Sequence, residues 1–124
     1  MKIIKIKDAS ELILIDAYRN IHSKIMYEDV GLENVQLYLK SNETSYICVD
    51  FIDMDDCYRT ISVEFHEDKN VYSIFLDNSV DACYEVEGCT SYSPLVHRNI
   101  STTAQLIVNS IMKLYKACTV VAKQ

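Results

Sequence analysis

The sequence contains few of the residues that build the most recognisable functional sites. Its 124 residues include two glycines, one proline and no tryptophan. Two glycines are too few for a glycine-rich phosphate-binding loop. A hydrophobic content of 49% with so little glycine and proline also argues against a disordered chain. No apolar run approaches the roughly 20 residues that a transmembrane helix requires. These absences favour one folded domain that does not span a membrane.

The five cysteines and three histidines do not form a metal-binding or catalytic pattern. There is no C-x2-C pair, and no histidine stands at ligand spacing from another. Asp53 to Glu64 has the length of a calcium loop, but Tyr58 occupies the position that needs glycine and Cys57 replaces an oxygen ligand. We therefore expect no metal, no cofactor and no catalytic residue. We interpret the cysteines as reduced structural thiols, mostly buried.

The first residues of the chain bear on localisation. Lys2, Lys5 and Lys7 interrupt the stretch in which a secretory signal peptide needs its apolar core. An odd number of cysteines also suits a reducing compartment. We expect a cytoplasmic protein.

Hydrophobic periodicity predicts helices near both ends of the chain. One apolar stripe at helical spacing runs through residues 10–27, and another runs through residues 107–121. A shorter pattern predicts a helix over residues 32–41. Asp8 and Glu11 resemble a capping box that opens the first helix. Ser101 or Thr102 is predicted to cap the start of the last helix.

From residue 45 the apolar period changes from about 3.6 residues to two. Four alternating segments with polar turns between them predict an antiparallel meander. The segments are residues 46–51, 60–65, 71–76 and 80–87. We predict a single α+β domain over residues 1–124, a four-stranded antiparallel β-meander packed against N-terminal helices and a C-terminal helix. In the third segment both alternating sets of side chains are apolar, so the pattern does not decide which set faces the helices.

Charge is strongly segregated along the chain. Residues 41–90 hold twelve acidic and two basic side chains, whereas residues 91–124 hold four basic and no acidic ones. This acidity disfavours direct binding of nucleic acid. One interpretation is that it only keeps the domain soluble. The other is that it marks a binding surface.

If the apolar sets of the strands face the helices, the opposite sheet face and its turns carry acidic and tyrosine side chains. Tyrosine is enriched at protein interfaces, and carboxylates attract basic partners. The predicted partner-binding residues are Tyr46, Asp50, Asp53, Asp55, Asp56, Tyr58, Glu64, Asp81, Glu85 and Glu87.

The small size, the acidic charge and this Asp, Glu and Tyr set resemble immunity proteins of bacterial contact-dependent inhibition and related polymorphic toxin systems. The resemblance extends over the whole chain as a profile, without a motif. It implies that the protein neutralises a basic toxin domain, often a nuclease, by covering its active site. The carboxylates would take the place of substrate phosphates against lysine and arginine side chains of the toxin.

Two alternatives remain open at this point. One is a small acidic secretion chaperone that holds an effector segment, although the first helix lacks the glycine-punctuated leucine pattern expected there. The other is a small enzyme that uses Cys83 or Cys89 with His66 or His97. A steered toxin complex should associate more slowly at high salt, whereas a hydrophobic chaperone groove should respond little.

Overall fold

In the part of the chain that the computed structural model describes, two helices and five strands follow one another. The structure describes residues 6–28, 31–39, 45–66, 71–77, 79–85 and 94–119. For β5 and for the first turns of both helices it describes the backbone. The elements are α1 Ile6–Tyr27, β1 Asn34–Tyr38, β2 Tyr46–Ile52, β3 Tyr58–His66, β4 Val71–Leu76, β5 Ser79–Glu85 and α2 Pro94–Thr119.

The five strands form one sheet in sequential order, and every neighbouring pair is antiparallel. Because side chains alternate along a strand, the register brings apolar residues of adjacent strands together on one face. We call this the inner face and the opposite side the outer face. Two apolar rows of the inner face are Val35–Val49–Ile61–Leu76 and Leu37–Ile47–Val63–Ile74.

Both helices pack against the inner face. Ile13, Leu14, Ala17 and Ile21 of α1 share one buried core with the inner-face residues, as do Ala104, Ile107, Val108 and Ile111 of α2. The spacing of these residues places them on a single face of each helix. The two helices also pack side by side, so the core has a helical layer above and a sheet below.

The α+β architecture, the antiparallel meander and the helices at both ends are confirmed. The predicted helix over residues 32–41 is wrong, because Asn34–Tyr38 forms strand β1. Within that stretch Val35 and Leu37 alternate with polar residues, and pairing with β2 satisfies the backbone of a segment too short for a stable helix. The meander therefore has five strands.

Both helices begin earlier than predicted. α2 begins at Pro94, seven residues before Ser101. Proline suits a first helical position, since its missing N–H is not needed there and its φ is already helical. α1 begins at Ile6, so Asp8 lies inside the first turn and does not precede the helix.

Candidate interaction surface

The outer face carries the polar and aromatic half of each alternating strand. Both helices lie on the other side of the sheet, and no described helix covers the outer face. Cross-strand pairing aligns its residues in three rows. The rows are Asn34–Asp50–Thr60, Gln36–Cys48–Ser62–Phe75 and Tyr38–Tyr46–Glu64–Ser73.

A stacked pair of tyrosines begins the third row. The ring centroids of Tyr38 and Tyr46 are 4.6 Å apart, with an interplanar angle of 25°. The Tyr38 hydroxyl donates a hydrogen bond to Oε1 of Gln36, and Tyr46 stands directly opposite Glu64. The rings and the carboxylate are all half-exposed. The row therefore offers a preorganised aromatic patch next to a negative charge.

Tyr38 and Gln36 are contributed by β1 and were not among the predicted binding residues. The neighbouring apolar residues fit a helical spacing, so this stretch was predicted to be a helix and its polar side chains were not assigned to the sheet. The signal that could have revealed them is the alternation of polar and apolar residues from Asn34 to Tyr38, which ends in a strand-favouring aromatic residue.

Asp50 is the centre of a second group on the outer face. Oγ1 of Thr60 donates to Oδ1 of Asp50 over 2.9 Å. The Tyr58 side chain is 60% exposed, and its hydrogen bond to Asp50 raises the pKa of its hydroxyl, because ionisation would break the bond and bring two negative charges together. Partial desolvation raises this pKa further. The two predicted binding residues Asp50 and Tyr58 are thus connected by a hydrogen bond.

Asp53 belongs to the interior of the β2–β3 turn. Asp53 is 9% exposed. Its Oδ1 atom accepts hydrogen bonds from the backbone N–H groups of Asp55 and Cys57, each with a length of 2.9 Å. Arg59 forms an ion pair with the second carboxylate oxygen at 3.2 Å. The Cys57 amide is the main cause of a lowered Asp53 pKa, with further contributions from Asp55 and Arg59. Asp53 therefore shapes the turn and does not present its charge on the outer face.

The same turn is connected to its neighbours. Arg59 Nε also contacts Oδ2 of Asp77 at 2.7 Å, and Oδ1 of Asp77 accepts the Thr60 N–H at 3.1 Å. Met54 donates its backbone N–H to the carbonyl of Cys118 over 3.0 Å, which attaches the turn to the end of α2. Asp53 and Arg59 thus hold the end of the sheet against the helical layer.

The remaining predicted residues lie at other places. Asp55 and Asp56 are exposed at the tip of the turn, where Asp56 has a φ of 61°. The pairing of β4 with β5 contains a register shift, because Ile74 pairs with Ala82 while the next residue, Phe75, pairs with Val80. Asp81 therefore lies outside the regular pairing. The backbone of Glu85 pairs with Val71, and Glu87 lies outside the described residues.

β4 contributes an apolar element to the outer face. Tyr72 and Ile74 are fully buried on the inner face, which settles the orientation that the sequence left open. Val71 and Phe75 then lie on the outer face and are half-exposed. The outer face thus combines tyrosines, carboxylates and partly exposed apolar side chains, which is the composition of many protein interfaces.

Metal and thiol chemistry have little support among the described residues. There, no group of three His, Cys, Asp or Glu side chains is placed to hold a metal ion. Burial raises the pKa of the half-buried Cys48 thiol, which keeps it protonated and weakly nucleophilic. Cys118 is also half-buried, and Cys57 is exposed in the β2–β3 turn. β4 separates the strands that carry His66 and Cys83.

A cleft in the helical layer contains a group of lysines. A cleft of about 490 Å³ between α1 and α2 is lined by Lys24, Lys113 and Lys116, together with Glu28, Asn109 and Met112. Lys24 forms an exposed ion pair with Glu28 at 3.3 Å. The contrast in charge is therefore between the sheet and α2, which has basic but no acidic residues, whereas α1 carries both signs in equal number.

No protein-family model, curated protein or solved structure matches this chain. In the described part of the chain, no helix is long and apolar enough to cross a membrane. The architecture defines the class of protein, an α+β protein with two helices on one face of a five-stranded antiparallel sheet.

Proposed function

We propose that the protein binds a basic protein partner through the outer face of its sheet. The observation that carries the proposal is the row Tyr38–Tyr46–Glu64 beside the Asp50–Tyr58 pair, on a face that no described helix covers. Tyrosine provides a large apolar contact and a hydroxyl at low entropic cost. The stacking of Tyr38 on Tyr46 lowers that cost further, because the rings are ordered before binding.

The charge pattern supports a basic partner. Glu64 lies half-exposed beside the aromatic pair, and within the described residues it has no ion pair with a lysine or arginine. Asp50 is held by Thr60 and Tyr58, which fixes its charge near the surface. Such ordered carboxylates steer a cationic partner and penalise an anionic one.

The finer proposal is that the partner is a toxin domain and that binding neutralises it. The size and the segregation of charge support this reading, as in the immunity proteins that the chain resembles. The carboxylates of the outer face would occupy the lysine and arginine side chains with which a nuclease holds phosphate groups. The toxin could then no longer bind its substrate.

The test is protection of growing cells. The chain is co-expressed with the product of the reading frame directly upstream of its own gene, and survival is measured. We expect the native chain to protect, and Glu64→Lys and Tyr46→Ala to lose protection. Glu28→Lys and Tyr27→Ala repeat the same changes at exposed positions of the helical layer, so both should protect fully.

Two results would contradict the proposal. The first is a native chain that gives no protection against a toxic upstream product. The second is protection that Glu64→Lys and Tyr46→Ala leave intact at equal protein levels. Circular dichroism of the purified variants shows whether each is folded, which separates loss of binding from loss of structure.

A secretion chaperone is the second candidate, supported by apolar exposure on the helical layer. Met26 and Tyr27 at the end of α1 are 61% and 83% exposed, and Leu106 of α2 is also exposed. A partner held there would associate at a rate that salt changes little, and Met26→Ser would weaken it while Glu64→Lys would not. The salt dependence of association therefore distinguishes the two functions.

A further inference from the structure

Strand β1 forms one edge of the sheet. It pairs with β2 alone, from Asn34 opposite Asp50 to Tyr38 opposite Tyr46. In an antiparallel pair, alternate residues direct their N–H and C=O groups away from the neighbouring strand. No other described strand pairs with those outward groups of β1. The edge therefore presents a hydrogen-bonding template.

β1 is short, with five residues, but it lacks three other features that prevent edge strands from pairing. Natural edges are protected by charged residues, proline or bulges. The sequence Asn-Val-Gln-Leu-Tyr has no charged residue and no proline, and its pairing with β2 has no register shift. By contrast, the pairing of β5 at the opposite edge is irregular at Asp81. The two edges of the sheet thus differ in their readiness to accept another strand.

We propose that β1 pairs antiparallel with β1 of a second copy of this chain, around a twofold axis at Gln36. In that register Gln36 stands opposite Gln36 of the second copy, Val35 opposite Leu37, and Asn34 opposite Tyr38. Apolar residues meet apolar residues on the inner face, and amide and phenol groups meet on the outer face. The strand is complementary to itself, as a twofold interface requires.

The side chains of β1 fit this arrangement. Val35 and Leu37 pack against the core but remain half-exposed, so pairing would cover apolar surface that the single chain leaves in water. No charge lies within the strand, and Glu33 just before it would face Leu39 of the second copy. The interface therefore places no like charges opposite one another.

Pairing at β1 leaves the outer face accessible and enlarges it. The two sheets become one sheet of ten strands, twice the five strands of one copy. Asn34 continues the row of Asp50, and it would adjoin Tyr38 and Tyr46 of the second copy. The dimer would thus have one continuous acidic and tyrosine-bearing face.

The first measurement is the mass in solution of the native chain by sedimentation, at concentrations up to about 0.5 mM, where contacts with millimolar dissociation constants become visible. We expect the mass to rise toward twice the 14.3 kDa of one chain. A mass that stays at 14.3 kDa throughout would overturn the proposal.

The second measurement exchanges charge at the twofold axis. Gln36→Lys and Gln36→Glu each place two like charges opposite each other, so each variant alone should be monomeric. An equimolar mixture should restore the dimer, which also shows that both variants are folded. Gln105→Lys makes the same change on the exposed side of α2 and should dimerise like the native chain. A dimer that both Gln36 variants retain, or a mixture that stays monomeric, would refute this register.

Discussion

The two faces of the sheet are made by the same strands but differ in burial. On β3, Ile61 and Val63 are fully buried against the helices, whereas Ser62 and Glu64, which alternate with them, remain half-exposed on the outer face. The inner face depends on complete removal of apolar surface from water. The outer face keeps most of its described polar and aromatic groups partly accessible, although Ser73 of β4 is buried. Under the proposed function, the alternation of a single strand thus separates the residues that stabilise the fold from those that contact a partner.

This separation predicts that equivalent changes on the two faces have unequal consequences. An inner-face substitution should lower stability and disturb binding only by unfolding the protein. An outer-face substitution should cost much less stability and alter contact with a partner directly. The turn around Asp53 lies between these extremes, because it joins the sheet to the end of α2.

The largest expected effect is the loss of an inner-face aromatic side chain. Phe51 is fully buried and packs edge-to-face on Tyr115, with ring centroids 5.4 Å apart. Phe51→Ala should lower the free energy of unfolding by about 3–5 kcal/mol, because it leaves a cavity. Tyr46→Ala on the same strand should cost about 1 kcal/mol, the worth of an aromatic pair. Urea denaturation of both variants measures the difference, and equal losses would contradict the comparison.

The next effect concerns the acidic turn between β2 and β3. Asp53→Ala removes the acceptor for two backbone N–H groups and the partner of Arg59, so the melting temperature should fall by several degrees. Asp55→Ala changes an exposed carboxylate two residues away and should leave the melting temperature nearly unchanged. Similar melting temperatures for the two variants would show that the buried network contributes nothing.

The same carboxylate predicts a dependence of stability on pH. The folded pKa of Asp53 is below its ordinary value of 3.8, so the unfolded chain binds the proton more readily. The stability that ionised Asp53 contributes is fully present at pH values above the unfolded pKa. It is lost as the pH falls through the folded pKa. Between about pH 5 and pH 2, the native chain should therefore lose more stability than Asp53→Asn. Parallel pH curves for the two proteins would contradict this assignment.

The sequence was sufficient to predict the alternating strands, because period-two patterning reports which residues a sheet buries. It failed at β1, where Leu32, Val35 and Leu39 also fit a helical stripe, and only pairing with β2 decides between the two. The placement of the outer-face residues was predicted in part. Patterning put Tyr46, Asp50 and Glu64 on one face, but it could not reveal that Asp53 turns inward to accept backbone N–H groups. That outcome depends on the path of the turn.

A smaller effect is expected in the titration of the outer-face tyrosines. The hydrogen bond from Tyr58 to Asp50 raises the pKa of Tyr58 above its ordinary value of 10.0. Asp50→Asn removes the negative charge, so the pKa of Tyr58 should move down toward that value. Ultraviolet titration, with Tyr58→Phe to identify the signal, measures this shift. An unchanged titration in Asp50→Asn would mean that the pair is not formed in solution.

The smallest expected effect on stability is that of Glu64→Lys. Glu64 is half-exposed and stands opposite Tyr46 and Ser73, so its reversal should change the free energy of unfolding by less than about 0.5 kcal/mol. Urea denaturation beside the native chain measures it. A loss comparable to that of Phe51→Ala would show that the outer face is part of the folding core.

The most direct test of the central claim is calorimetric binding to two double variants, with the purified product of the reading frame directly upstream as the candidate partner that the proposal implies. Tyr46→Ala with Glu64→Lys alters the outer face, and Tyr27→Ala with Glu28→Lys makes the same changes at the end of α1. We expect the outer-face variant to bind at least about 100-fold more weakly, corresponding to about 2.7 kcal/mol, and the helical variant to bind like the native chain. Equal affinities of the outer-face variant and the native chain would contradict a binding role for this face.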